Sequence, residues 1–172
     1  KTIDKYLTPF GIRSVKFDKD KGFFLNNKHL KLKGMCLHQD AGCLGTAVPD
    51  RAYERRLLIL KEFGTNAIRC SHNPPSPEFL NYCDSIGFLV IDEAFDKWKS
   101  GYYEEFFDSS WQQDISDMVI RDRNHPSVIL WSIGNELAEA KLKDDTGIER
   151  AGMLQDFVHQ LDPSRLVMLA LQ

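Results

Sequence analysis

The sequence predicts an α/β fold built as part of a (β/α)8 TIM barrel and entered from a short β-hairpin. Three observations lead there. Beyond residue 30, short apolar runs alternate with segments of helical spacing, in the order β, α, β, α, β, α, β, α, β. The runs are too continuously apolar to keep one wet face, which places them in a parallel sheet under helices. Polar residues gather at the C-terminal ends of these runs, where a barrel opens its site.

The bulk properties narrow the function. With 172 residues, 42% apolar and 27% charged, the chain can bury one sizeable core. A net charge of −3 offers little attraction to a polyanion, so nucleic acid is not an expected partner. No run approaches the ~18 apolar residues of a membrane span, and "KTIDKYLTPFGIRS" has no signal-peptide core, so no membrane partner is expected. The spacings of Cys36, Cys43, Cys70 and Cys83 match no zinc pattern; free thiols are expected, and the compartment stays open.

The elements follow in order. Turn residues at Asp18–Gly22 and at Asn26-Asn27, a pair that tolerates positive φ, predict a hairpin running into a strand near Leu30 to Leu37. Asp50 is the expected cap of a helix carrying Tyr53, Leu57 and Leu60 at helical spacing and ending at Gly64. A strand over 66–70 precedes Ser76-Pro77, a helix start with proline at its first position, and that helix runs to Gly87. "FLVID" (88–92) is the next strand. A long connection containing "YYEEFF" (102–107) leads to a helix from about Trp111 to Arg123, stopped before Pro126. Those aromatics suit either sugar stacking or packing of the loop on itself. "SVILWSI" is a strand, Thr146 to Leu161 a polar helix, and "LVMLA" the last strand.

A doubly wound sheet would share this alternation. However, "GMCLHQDAGCLG" after the first barrel strand lacks the G-x-G-x-x-G order that opens a dinucleotide site. The polar groups favour the barrel instead: His38, Gln39 and Asp40 after the first strand, Arg69, Ser71, His72 and Asn73 at the second, Asp92 and Glu93 at the third, Asn135 and Glu136 at the fourth. "WSIGNE" (131–136) thus carries a buried strand into an amide and a carboxylate at the rim. A carboxyl group at a buried edge suits proton transfer to a leaving oxygen, because burial disfavours its charged form. A neighbouring amide can bind a substrate hydroxyl beside the reacting carbon. The pair alone would equally suit a cap for the next segment.

Three longer motifs add to this reading. "LKLKGMCLHQD" (30–40), "NAIRCSHNPPSPEFLNYCDSIGFLVIDEAFD" (66–96) and "DRNHPSVILWSIGNE" (122–136) together resemble the first half of the catalytic barrel of glycoside hydrolase family 2, the group of β-galactosidases, β-glucuronidases and β-mannosidases. "TPFGIRSVKF" resembles the end of the β-sandwich domain preceding that barrel, so the resemblance assigns residues 1–14 to that domain or a linker and 15–172 to the half barrel. It implies a retaining β-glycosidase acting on a β-linked carbohydrate, with Glu136 as acid/base and Asn135 as partner of the sugar 2-hydroxyl. His38, His72 and Asn73 are the implied substrate contacts, and Arg69 braces the carboxylates. Asp92 and Glu93 are expected to brace Arg69 in turn. Asp40 and Trp98 are expected to line the pocket, Trp98 by stacking on a sugar face. "DEAFD" and "SHNPP" look more like the β-galactosidase branch.

Two departures stand against the resemblance. Lys97 and Lys99 occupy the positions where the magnesium-holding β-galactosidases carry a Glu and a His. Cations do not ligate a cation, so no metal and no cofactor are expected. Retention also needs a nucleophilic carboxylate ~5 Å from the acid, which the family supplies after the seventh strand; the present sequence offers no candidate. The expectation is therefore a chain inactive alone, partnered by the remaining half of the barrel or by copies of itself. The alternative is a noncatalytic sugar-binding or assembly module derived from the barrel.

Overall fold

The computed structural model describes residues 2–137 and 146–171. A three-stranded antiparallel sheet comes first: β1 (Val15–Asp18), β2 (Gly22–Leu25) and β3 (Lys28–His29). Asn26 and Asn27 turn β2 into β3 with φ of 50° and 63°, as their side chains allow. Five parallel strands follow: β4 (Gly34–His38), β5 (Ala67–Ser71), β6 (Leu89–Glu93), β7 (Val128–Ser132) and β8 (Leu166–Met168). They hydrogen-bond in the order β4-β5-β6-β7-β8. Spatial order equals chain order, with no reversal of the kind that marks a doubly wound sheet, so the sheet is an arc of a barrel.

The helices alternate with these strands: α1 (Asp50–Glu62), α2 (Pro77–Ile86), α3 (Glu104–Asp122) and α4 (Thr146–Leu161). Ser76 Oγ accepts from Phe79 N at 3.3 Å, Pro77 opens α2, and Gly87 closes it at φ 84°, all as local chemistry requires. Asp50 proves to be the first residue of α1 rather than its cap. Pro49 takes the extended cap position, and the Asp50 carboxylate meets the positive end of the helix. No described helix is long and apolar enough to cross a membrane.

Two boundaries differ from expectation. Residues 30–33 do not join β4, because the Asn66 side chain takes their backbone groups: Lys33 N donates to Asn66 Oδ1 at 2.7 Å and Asn66 Nδ2 donates to the Lys31 carbonyl at 3.0 Å. Helix α3 starts at Glu104, absorbing part of the expected connection. Glu104 and Glu105 favour its N-terminus, and Phe107 is buried, stacking on Trp111 one turn later and packing on Phe95. The aromatics of "YYEEFF" divide accordingly, Phe107 inward and Tyr102 to solvent.

Strand alternation builds two faces. Ile68, Cys70 and Val90 are buried in the core under the helices, with Leu57, Leu80, Cys83 and Val119. On the concave face, Arg69, Ile91 and Leu130 are paired in register across β5, β6 and β7, and each is only half-buried. At the N-terminal end of the strands, Phe23 of the hairpin packs on Ala67, Leu89 and Ile129. Arg13 and Arg165 both donate to the Val128 carbonyl, which ties the entry segment and the start of β8 to the base of β7. All four cysteines are free thiols, with Cys70 and Cys83 buried and Cys36 and Cys43 exposed.

The alternation also separates two neighbouring acids. Glu93 points into the concave face, while Asp92 lies fully buried on the helix side, with no hydrogen-bond partner for either oxygen among the described residues. Asp92 therefore does not brace Arg69. Burial, and then the nearby charge of Asp122, push its pKa well above the ordinary carboxyl range. An acid whose folded-state pKa is raised contributes stability that is complete below its unfolded value, about 3.9, and is lost as pH rises toward the folded value. Asp92→Asn is accordingly expected to flatten the decline of unfolding free energy above about pH 4, followed by urea titration at several pH values. An unaltered slope would count against a protonated Asp92.

Candidate active site

The C-terminal ends of β4 to β7 converge on one connected set of side chains. Glu93, 0% exposed, is its centre. Its Oε2 accepts from Arg69 Nε at 2.8 Å and from Ser132 Oγ at 2.6 Å, and its Oε1 lies 2.6 Å from His72 Nδ1. The expected bracing of Arg69 thus falls to Glu93. Arg69 Nη2 continues to Asn135 Oδ1 at 2.9 Å, and Asn135 Nδ2 donates to Asp96 Oδ1 at 3.0 Å. Every polar atom of the Asn135 amide oxygen and nitrogen so engaged is fixed in orientation, because the arginine can only donate and the aspartate only accept.

Glu136 joins the set through Lys97. The lysine Nζ donates to Asp96 Oδ1 at 3.0 Å, to the Asn135 carbonyl at 3.3 Å and to Glu136 Oε2 at 3.3 Å. The Glu136 side chain is 54% exposed, so burial, the property expected to suit it to acid catalysis, is absent in this chain. Its backbone takes φ 44°, in the left-handed region where a side chain costs energy. Gly134 prepares that turn: a Cβ there would stand 2.8 Å from Leu137 Cδ2 and 3.0 Å from Trp98 Nε1. The chain therefore leaves β7 through a position where a larger residue would have to displace the Leu137 side chain.

The remaining candidates divide. His38 is exposed at the end of β4 and meets His72 edge-to-face, ring centroids 5.3 Å apart, so the two imidazoles share one wall. Asn73 donates to Gln39 Oε1 and to the Pro74 carbonyl, which links the loops after β4 and β5. Asp40 folds onto its own loop, its Oδ2 accepting from Gly42 N at 3.4 Å. Trp98 corrects the expectation of a sugar platform. It is 1% exposed, donates to the Ile133 carbonyl at 2.6 Å and packs in the core.

Asp96 and Ser132 are members of the set that sequence reasoning passed over. Burial opposes the Asp96 charge, but Asn135 and Lys97 outweigh it and hold the carboxyl below its ordinary range. Its signal was its place three residues after Glu93, on the same loop as Lys97. A cavity of 490 Å³ lies beside His72, Asn73 and Asp96 and extends to Tyr103, Asp114 and Arg121. The lysines at 97 and 99 do not fit a divalent cation: Lys97 fills the space by Glu136, and Lys99 pairs with Asp108.

The family model "Glycosyl hydrolases family 2, TIM barrel domain" matches residues 15–171. The chain belongs to glycoside hydrolase family 2. Beta-galactosidase BoGH2A of Bacteroides ovatus is 51% identical over 164 residues, which are 91% of this chain and 19% of that protein. A beta-glucuronidase of Bacteroides fragilis is 33% identical over 171 residues, 96% of this chain and 24% of that protein. A crystal structure of a family 2 member from Bacteroides cellulosilyticus superposes with a TM-score of 0.88 at 49% identity, covering 94% of this chain and 21% of that one. The chain thus spans about a fifth of the length of these family 2 relatives.

Proposed function

We propose that this chain is the acid/base-bearing part of a retaining β-glycosidase, most closely of β-galactosidase type. The observation that carries the proposal is the convergence of Asn135 and Glu136 at the end of β7 on the Arg69–Glu93–His72 network. In this reading Glu136 protonates the departing glycosidic oxygen and then deprotonates the attacking water. Asn135, held by Arg69 and Asp96, receives the 2-hydroxyl of the sugar. His38 and His72 bind the glycone, with Asn73 holding the loop beside them. The nucleophilic carboxylate, ~5 Å from the acid in a retaining mechanism, belongs to the strands that complete the barrel.

Those strands would also cover the half-buried row of Arg69, Ile91 and Leu130 and lower the exposure of Glu136. Association with a second copy is the competing way to cover that face. In the same reading residues 1–14 are the end of a preceding β-sandwich domain or a linker. Ile3, Leu7, Phe10 and Ile12 stand exposed there, as side chains do when a neighbouring domain is to cover them. The β-galactosidase branch is supported by the 51% identity to BoGH2A, against 42% to a putative beta-glucuronidase of Formosa agariphila.

The test exchanges this chain for the matching segment of the Bacteroides ovatus relative, producing a complete barrel that carries these residues. The expected result is hydrolysis of an aryl β-galactoside with the β-anomer formed first, seen by proton NMR, and no turnover by the 172-residue chain alone. Inversion in the complete barrel would defeat the retaining mechanism. Turnover by the isolated chain, abolished by Glu136→Gln, would defeat the division of the site between two parts of the barrel.

A further inference from the structure

We propose that Lys97 is a positioning residue for the acid/base, fixing the Glu136 carboxylate and the Asn135–Glu136 backbone in one geometry. The proposal rests on the reading of Glu136 given above. An ammonium group has three protons to donate, and Lys97 Nζ meets three oxygens: Asp96 Oδ1, the Asn135 carbonyl and Glu136 Oε2. Each acceptor does a different job. Asp96 also receives the Asn135 side-chain amide at 3.0 Å, the Asn135 carbonyl belongs to the peptide entering Glu136, and Glu136 Oε2 belongs to the acid itself. One cation therefore ties together the side chain and the backbone of both residues of the pair.

The need for such a tie follows from the surroundings. Glu136 is 54% exposed, and among the described residues no other side chain hydrogen-bonds its carboxylate. A glutamate with free rotamers would spend little time in one proton-donating geometry. Lys97, at 24% exposure, is the better buried partner. Burial works against its charge, but Asp96 and then Glu136 more than compensate and raise its pKa, so the ammonium persists across the neutral range. A pair this open adds little to stability. Its effect is expected in the chemistry instead. Lys99, two residues on, pairs with Asp108.

Lys97→Met and Lys97→Arg in the complete barrel test the proposal, with Glu136→Gln as reference. Two β-galactosides are compared: one with an alkyl leaving group, which needs protonation to depart, and one with a dinitrophenyl group, which does not. Lys97→Met is expected to lower kcat/KM for the alkyl glycoside about 10- to 100-fold and for the dinitrophenyl glycoside less than about threefold. Lys97→Arg is expected to recover part of the loss, and the thermal midpoint to remain in place. Equal losses on both substrates, no loss, or unfolding of Lys97→Met would each overturn the proposal. If Glu136→Gln itself fails to separate the two substrates, the acid/base reading falls. If Glu136→Gln separates them and Lys97→Met does not, only the role of Lys97 falls.

Discussion

Glu136→Gln in the complete barrel is expected to reduce kcat/KM for an alkyl β-galactoside by about 10²- to 10⁴-fold, the range a positioned general acid supplies. Glutamine keeps the shape and can still face Lys97, but it holds no transferable proton. The loss should therefore lie in the step that expels the leaving group. Binding of a nonhydrolysable galactoside should persist, because the histidines and Asn135 remain. Initial rates and equilibrium binding, measured on the same protein, separate the two. A loss of binding as large as the loss of rate would make Glu136 a ligand for the sugar and not its acid. Retained hydrolysis would return the chain to a noncatalytic reading of this pair.

Arg69→Met carries the largest expected effect on stability. Glu93 has no exposure, and Arg69 meets both its Oε2 and Asn135. Removing the guanidinium leaves a buried carboxylate with only His72 and Ser132, and breaking a buried pair from one side costs about 3–5 kcal/mol. Urea unfolding of the complete barrel measures the change. The double variant Arg69→Met, Glu93→Gln should regain a substantial part of it, since the uncompensated charge is then gone. If the double variant is no better than the single, the stabilisation belongs to packing of the arginine stem.

How far the sequence discloses this arrangement depends on the range of the chemistry involved. Ser76, Pro77 and Gly87 act within one helical turn of themselves, so α2 is legible from them alone. The strand ends are legible too, because a run of apolar residues stopped by His38, His72, Glu93 or Asn135 marks where the core stops. The start of α3 is not, since Phe107 becomes a helical core residue only through Phe95, which lies outside the helix. Asp92 and Glu93 look interchangeable in sequence, yet one residue of pleat sends them to opposite faces. Trp98 looks like a sugar platform until Ile133 and Gly134, just past β7, close over it. Lys97 could be excluded as a metal ligand from its type alone. Its place beside Glu136 required the folded loop.

The network running from Glu93 through Arg69, Asn135, Asp96 and Lys97 to Glu136 interleaves three acidic groups with two basic ones. Such alternation leaves this network almost electrically balanced, so it projects only a weak field into solution. Long-range steering then contributes little to encounter, and ionic strength is a poor lever on capture. Discrimination by this network falls instead to the angles and spacings of individual donors and acceptors.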